Sequence, residues 1–255
     1  MAPATLFDLS GKVALVTGGN GGIGRGIALG LAAAGAAVAI FGRNDAKNQS
    51  VLAELQAAGV PALALRVDVT DRNALAPAVK QVNEQLGDVD ILVNNAGTAS
   101  ISGGILNETP EDWDNVLETQ LNAVFLLSKI VGQKMAERDG GKIINIGSLY
   151  SIFGSALVPS YSAAKGAIVQ LTKSMAIELA PHNIQVNVII PGWIETDMTT
   201  SIQQSPMSDE IVARTPAGRW GRPDEFAGSA VFLASNAADF ITGESLRVDG
   251  GYAIS

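Results

Sequence analysis

Cysteine is absent from all 255 residues, and histidine occurs once, as His182. Without a thiol there is no disulfide, no thiolate nucleophile, no iron–sulfur cluster and no cysteine zinc site. One imidazole cannot build a multi-histidine metal centre. A serine-hydrolase triad would have to use His182, and no G-x-S-x-G elbow precedes it. No metal is therefore expected. Basic residues are few as well: 17 against 25 acidic ones give a net charge of -8. Nucleic-acid binders present a basic face, so that class is disfavoured. No apolar run approaches the roughly eighteen residues of a membrane span; the longest, around Val124–Val131, is broken by Ser128 and Lys129. The N-terminus shows Asp8 and no basic segment followed by an apolar stretch, so neither a signal peptide nor a membrane anchor is expected. That predicts a cytoplasmic setting. The chemistry left open must use hydroxyls, carboxylates, amines or a bound cofactor.

Hydrophobic residues make up 47 % of the chain, enough to bury one large core and too many for disorder. Short β-branched runs alternate with Ala/Leu-rich ones. The runs predict strands over Lys12–Thr17, Ala37–Phe41, Pro61–Val67, Val89–Val93, Lys142–Ile146 and Ile184–Ile190, with a weaker seventh at Ser245–Val248. Helical patterns lie between them, at Gly22–Ala34, Ala46–Ala58, Asp71–Leu86, Pro110–Glu137 and Ser160–Ala180. Val13–Val16 and Ile91–Val93 are apolar on both faces, the mark of a parallel strand covered on each side. The expected fold is α/β: one Rossmann-type, doubly wound parallel sheet of about seven strands with helices on both faces, spanning residues 1–255 as a single domain. Ligands of such sheets sit at the C-terminal strand ends.

After the first strand comes Thr17-Gly18-Gly19-Asn20-Gly21-Gly22-Ile23-Gly24, five glycines within seven residues. Glycine permits positive φ and a close approach of backbone to a pyrophosphate, which a helix N-terminus then favours. A tight strand-to-helix turn is the plainer reading, but the number and placement of the glycines favour a dinucleotide. Tyr161 and Lys165 are four apart and share a helix face. With no cysteine and one histidine, Tyr161 is among the few credible proton donors. A phenol titrates near about 10, so a neighbouring cation is needed to make it active near neutrality. Ser148, at the end of the fifth strand, reads by itself as a strand-end cap. Asn122 sits mid-helix, where asparagine is a poor helix former.

Together T-G-x-x-x-G-x-G, Asn94-Asn95-Ala96-Gly97, Ser148, Tyr161-Ser162-Ala163-Ala164-Lys165 and Pro191-Gly192, in that order from Leu9 to Tyr252, resemble the short-chain dehydrogenase/reductase family. The resemblance implies reversible hydride transfer between a secondary alcohol and a ketone, with Tyr161, Lys165, Ser148 and Asn122 as the catalytic set. Lys165 would also bond the nicotinamide ribose, and Asn122 would kink its helix and hold a water beside Lys165. It implies cofactor contacts from Gly18, Asn20, Gly22, Ile23 and Gly24, from Asp68 and Val69, and from Asn95, Ala96 and Gly97. Asn94 and Gly97 would border the adenine ribose and support the sheet. Ile190, Pro191, Gly192, Ile194 and Thr196 would run along the nicotinamide and phosphates. Asp68 reads otherwise as a helix cap, and His182 as a cation at a helix C-terminus.

An NAD-specific site of this fold carries an acid at the end of the second strand. Gly42 stands there, followed by Arg43, whose planar fork suits a 2′-phosphate but is also an ordinary solvated turn residue. NADP is the preferred cofactor expected, with NAD usable. Residues 193–214 carry no strand signal and are expected to form a lid over the substrate. Leu6–Gly11 and Val158–Tyr161 resemble the sugar and sugar-acid dehydrogenases of the family, so a sugar, sugar acid or similar small hydroxy compound is the expected substrate. The alternatives are a 3-oxoacyl carrier-protein reductase, a broad carbonyl reductase or, in another class, a non-catalytic dinucleotide sensor, which needs none of the four catalytic residues. The long helices carry apolar residues on more than one face, and with the family's habit that predicts a homotetramer.

Overall fold

The computed structural model describes residues 6–99 and 101–255. Seven strands form one parallel sheet: β1 (Val13–Thr17), β2 (Ala37–Gly42), β3 (Ala62–Arg66), β4 (Ile91–Asn94), β5 (Gly141–Ile146), β6 (Ile184–Pro191) and β7 (Ser245–Val248), in the order β3-β2-β1-β4-β5-β6-β7. The strand order reverses direction between β1 and β4, which opens a crevice at their C-terminal ends.

The apolar runs follow from burial on both faces. Ala14 and Val16 point into one core, with Ile27 and Leu31 of α1 (Gly22–Ala33) and Phe226 and Leu233 beyond it. Val13 and Leu15 point into the other, with Leu75 and Val79 of α3 (Arg72–Leu86) and Leu127 and Val131 of a later helix. Between α1 and α3 lies α2 (Asp45–Ala57), capped by Asn44, whose side chain accepts from the Lys47 amide.

The single helix expected over Pro110–Glu137 is broken in the structure. It comprises α4 (Pro110–Leu117), one π turn at Glu118–Asn122, and α5 (Ala123–Glu137). At the turn the Asn122 amide donates to the Glu118 carboxylate one turn back, 2.6 Å away. The widened turn is the kind of helix bulge that recurs at functional positions. Then come α6 (Pro159–Leu179), α7 (Met207–Arg214) and α8 (Ala227–Ala234). The last was not anticipated: the segment Ala-Gly-Ser-Ala-Val-Phe-Leu-Ala shows no polar face from which a period could be read. It lies against α1, where a β-carbon on Gly30 would come within 2.5 Å of the Ala227 Cβ.

Candidate active site

A cleft of about 660 Å³ runs across the C-terminal ends of the strands. Of the residues expected at the cofactor or the chemistry, all line it except Gly24, Asn122, Asn94 and Ile190. Gly24 instead makes the turn close: a β-carbon there would lie 2.3 Å from the Gly18 carbonyl oxygen. Asn94 is 3 % exposed and faces inward, donating to Ser128 Oγ at 3.0 Å and Asn145 Oδ1 at 2.9 Å. It braces the sheet and does not line the cleft. Ile190 is a core residue.

One end of the cleft is a backbone cradle. Gly18 and Gly22 hold φ of 63° and 49°, in the left-handed region open to glycine. Helix α1 begins at Gly22 with no side-chain cap, so its first amides are free for an anion. Below the loop, Thr17 Oγ1 accepts from the amides of Asn95 and Ala96, both at 2.9 Å, and Asn95 Nδ2 donates to the Thr17 carbonyl. The bonds lock the end of β4 to the end of β1. A β-carbon on Gly97 would lie 2.7 Å from buried Gln120 of the π turn, which explains the glycine.

At the end of β2 the structure adds a fact that the sequence did not show. Asn20 Nδ2 donates to Asn48 Oδ1 at 2.7 Å, and Asn48 Nδ2 donates to the Gly42 carbonyl at 3.0 Å. The two amides occupy the space a side chain at 42 would need; its β-carbon would come within 2.1 Å of Asn20 Nδ2. Arg43 beyond them is exposed, its Nη1 3.9 Å from Asp68 Oδ2. Burial works to raise the Asp68 carboxyl, but the Thr70 amide, the Thr70 hydroxyl and the Arg43 charge outweigh it and hold the group below its ordinary value. Lys47 also lines the cleft, and its ammonium is 2.5 Å from Asp197 Oδ2 on the far wall.

The other end holds Ser148, Tyr161 and Lys165. Ser148 caps a short 3₁₀ turn, Leu149–Ser151, and accepts from the Tyr150 amide at 3.2 Å. The cap reading of this serine is therefore satisfied, and its hydroxyl also faces the Tyr161 phenol. Ser151, unremarked in the sequence, joins the two halves: its Oγ accepts from the Ser148 amide at 3.1 Å and donates to the Lys165 carbonyl at 2.7 Å. Only the S-x-x-S spacing of a capping box could have signalled it.

The expected acidification of Tyr161 is absent from this arrangement. Burial pushes the phenol up, and the Ser148 hydrogen bond pulls it only partly back. Lys165, 5 % exposed, gives its ammonium to the Ile146 carbonyl at 2.7 Å and lies 5.6 Å from the Tyr161 ring centre. Burial pushes the amine itself down to about 7. Asn122 bonds Glu118 and lies outside the cleft lining, while Glu118 in turn pairs with Arg72. His182, in the turn that ends α6, stands 3.9 Å from Asp139 and apart from the cleft.

Trp193, Thr196, Met198, Ile202 and Met207, all within residues 193–214, line the cleft. Ile194 bridges to Gly221, and 3₁₀ turn Asp197–Thr199, helical turn Thr200–Gln203 and α7 follow. Among the described residues there is no cluster of metal-ligating side chains and no helix long and apolar enough to cross a membrane.

The chain matches, over residues 18–253, the family model described as "Enoyl-(Acyl carrier protein) reductase". It is 44 % identical over 248 residues to a 2-dehydro-3-deoxy-D-gluconate 5-dehydrogenase of Pseudoalteromonas atlantica, covering 96 % of this chain and 97 % of that one. To a gluconate 5-dehydrogenase of Gluconobacter oxydans it is 40 % identical over 256 residues, covering both chains fully. The crystal structure of a gluconate 5-dehydrogenase from Burkholderia cenocepacia, in complex with NADP and tartrate, matches with a TM-score of 0.94 at 38 % identity, covering 99 % of each chain.

Proposed function

The chain belongs to the short-chain dehydrogenase/reductase family of NAD(P)-dependent oxidoreductases, and on that premise we propose that it interconverts a secondary alcohol and a ketone on a small polyhydroxy compound of the sugar and sugar-acid kind, preferring NADP. The observation that carries the reading is the joining of two sites in one cleft: a glycine cradle with free helix amides at one end, and Ser148, Tyr161 and Lys165 at the other.

The cradle fits a dinucleotide, which when bound supplies or accepts the hydride at its nicotinamide. The protein's own residues orient the substrate and move the proton. Ser148 donates to the substrate oxygen, and Tyr161 gives or takes its proton as general acid or base. Lys165 holds the nicotinamide ribose. Its amine lies 5.6 Å from the Tyr161 ring centre and, when protonated, favours the phenolate by its charge. Asn122 lies in the bulge of the helix packed beside α6 and holds a water beside Lys165. The curated relatives are named for sugar acids, which supports that substrate class over an acyl-carrier thioester or a non-catalytic sensor.

NADP preference rests on Gly42 and Arg43. Asn20 and Asn48 fill the place of the carboxylate that would favour NAD, and Arg43 offers a forked donor to a 2′-phosphate. Segment 193–214 acts as the lid, and the Lys47–Asp197 pair ties it to α2. The active form is a homotetramer. Phe125 of α5 and Ile177 of α6 are 49 % and 79 % exposed, and Phe240 and Ile254 near the C-terminus are bare. The enzyme works in the cytoplasm. The test is the absorbance of reduced nicotinamide, followed with a panel of sugars, sugar acids, acetoacetyl thioesters and simple ketones. Turnover confined to the thioesters, or none with any of them, would overturn the reading.

A further inference from the structure

Beyond Tyr161 the cleft has walls whose chemistry narrows the substrate. Ile101 follows β4, Leu157 precedes α6, and Met198, Ile202 and Met207 come from segment 193–214. Ile101, Leu157, Met198 and Met207 are exposed by 62, 46, 50 and 40 %. Large apolar side chains left open around one concavity mark a ligand surface. Tyr150 and Trp193 add two rings set edge to face, 6.3 Å apart. Hydroxyls of Ser148, Tyr161, Ser201 and Ser205 are among the polar groups of the lining, Ser205 donating to the Ile202 carbonyl at 2.8 Å.

Among the described residues no cation stands at that end. The cations of the cleft are Arg43, Lys47 and Lys165. Arg43 and Lys47 belong to the end with the glycine loop, and Lys47 is paired with Asp197. Lys165 is buried and bonded to Ile146. Arg214 lies in segment 193–214 but outside the cleft lining, its guanidinium 4.3 Å from the Tyr252 ring centre and 5.3 Å from that of Phe153. The N-terminus of α6 is taken as well. Its N-cap, Val158, has no capping side chain, and Glu108 Oε2 accepts from the Ser160 amide at 3.2 Å. The Glu108 side chain already occupies the anion-favouring end of the helix.

We infer that the substrate is an uncharged polyhydroxy compound, a neutral sugar, polyol or hydroxyketone, and not the aldonate. The inference rests on the dehydrogenase reading above and selects within it. A neutral polyol pairs its hydroxyls with the serines and lays its C–H face on Tyr150 and Trp193. A carboxylate in the same place sheds its water with no ionic partner.

The test compares aldonates with the matching aldonamides, which differ in charge and hardly in shape, on the full-length protein with NADP. The amide is expected to exceed the acid in kcat/KM by roughly tenfold or more, the scale of one uncompensated charged group. Equal or better turnover of the acids overturns the inference and leaves the dehydrogenase reading standing. If neither series reacts while the protein still binds NADP, the polyhydroxy reading fails and takes the inference with it. A second measurement adds the missing charge: Ile202→Lys should move the acid-to-amide ratio toward the acid by about tenfold. The ratio is internal to each preparation, so partial misfolding does not affect it, and an unchanged ratio would also overturn the inference.

Discussion

The ammonium of Lys165 hydrogen-bonds the carbonyl of Ile146, 2.7 Å away, tying the second turn of α6 to the last residue of β5. With Ser151, which bridges the Ser148 amide to the Lys165 carbonyl, the bond fixes the helix carrying Tyr161 against the strand end carrying Ser148. The same bond is made in a dry place, and burial brings the amine down to about 7.

A pH dependence follows from that burial. Above about 7 the folded Lys165 is unprotonated, while in the unfolded chain it keeps its proton up to 10.5. The unfolded state binds more protons across that window, so this group makes stability rise with pH through it, by at most about 1.4 kcal/mol per unit. Below about 7 both states are protonated and the contribution is flat. Thermal melts of the wild type and Lys165→Met from pH 6 to about 9 should converge as pH rises. Parallel curves throughout would mean that the amine is not desolvated.

Tyr161→Phe removes the phenol that faces Ser148 and keeps the ring. Turnover is expected to fall about 10²–10⁴-fold, the usual contribution of a general acid or base, with NADP affinity nearly unchanged. Rate and cofactor titration measured on one preparation check this, and near-normal turnover would exclude the tyrosine.

Arg43→Ala is expected to weaken NADP by about 1.5–3 kcal/mol and to leave NAD almost untouched, since only the 2′-phosphate distinguishes them. Dissociation constants for both coenzymes decide it. Equal losses would make Arg43 a general surface charge.

Placing an acid at the end of β2 should not simply convert the enzyme to NAD. In Gly42→Asp the new β-carbon would lie 2.1 Å from Asn20 Nδ2 and 2.5 Å from Asn48 Oδ1. The expected cost is about 1–3 kcal/mol of stability, as for other overpacked sites. Denaturant melts of Gly42→Asp, alone and with Asn48→Ala, should show the loss and its partial recovery; an unperturbed single variant would refute the packing argument.

Light scattering at micromolar concentration should report a tetramer, and Ile177→Glu on the exposed face of α6 should yield a smaller species with the fold intact by circular dichroism. A monomeric wild type would refute the assembly.

The sequence by itself determined the layered α/β architecture. Runs such as Val13–Thr17 are apolar on both faces because both faces are buried, and that pattern is local. It also identified the glycine loop and the Tyr161–Lys165 pair, whose spacing is a property of one turn and one helix. Tertiary structure alone decided the rest. At the break, Glu118 pairs with Arg72, 46 residues away. The wall in front of Gly42 needs Asn20 and Asn48 from two different elements. The inward turn of Asn94 needs Ser128 and Asn145 on a helix and a neighbouring strand. Likewise the protonation of Lys165 is set by burial, which no neighbour in sequence reports. Local periodicity encodes which face a residue shows; charge state and partner choice depend on what the remote chain brings to that face.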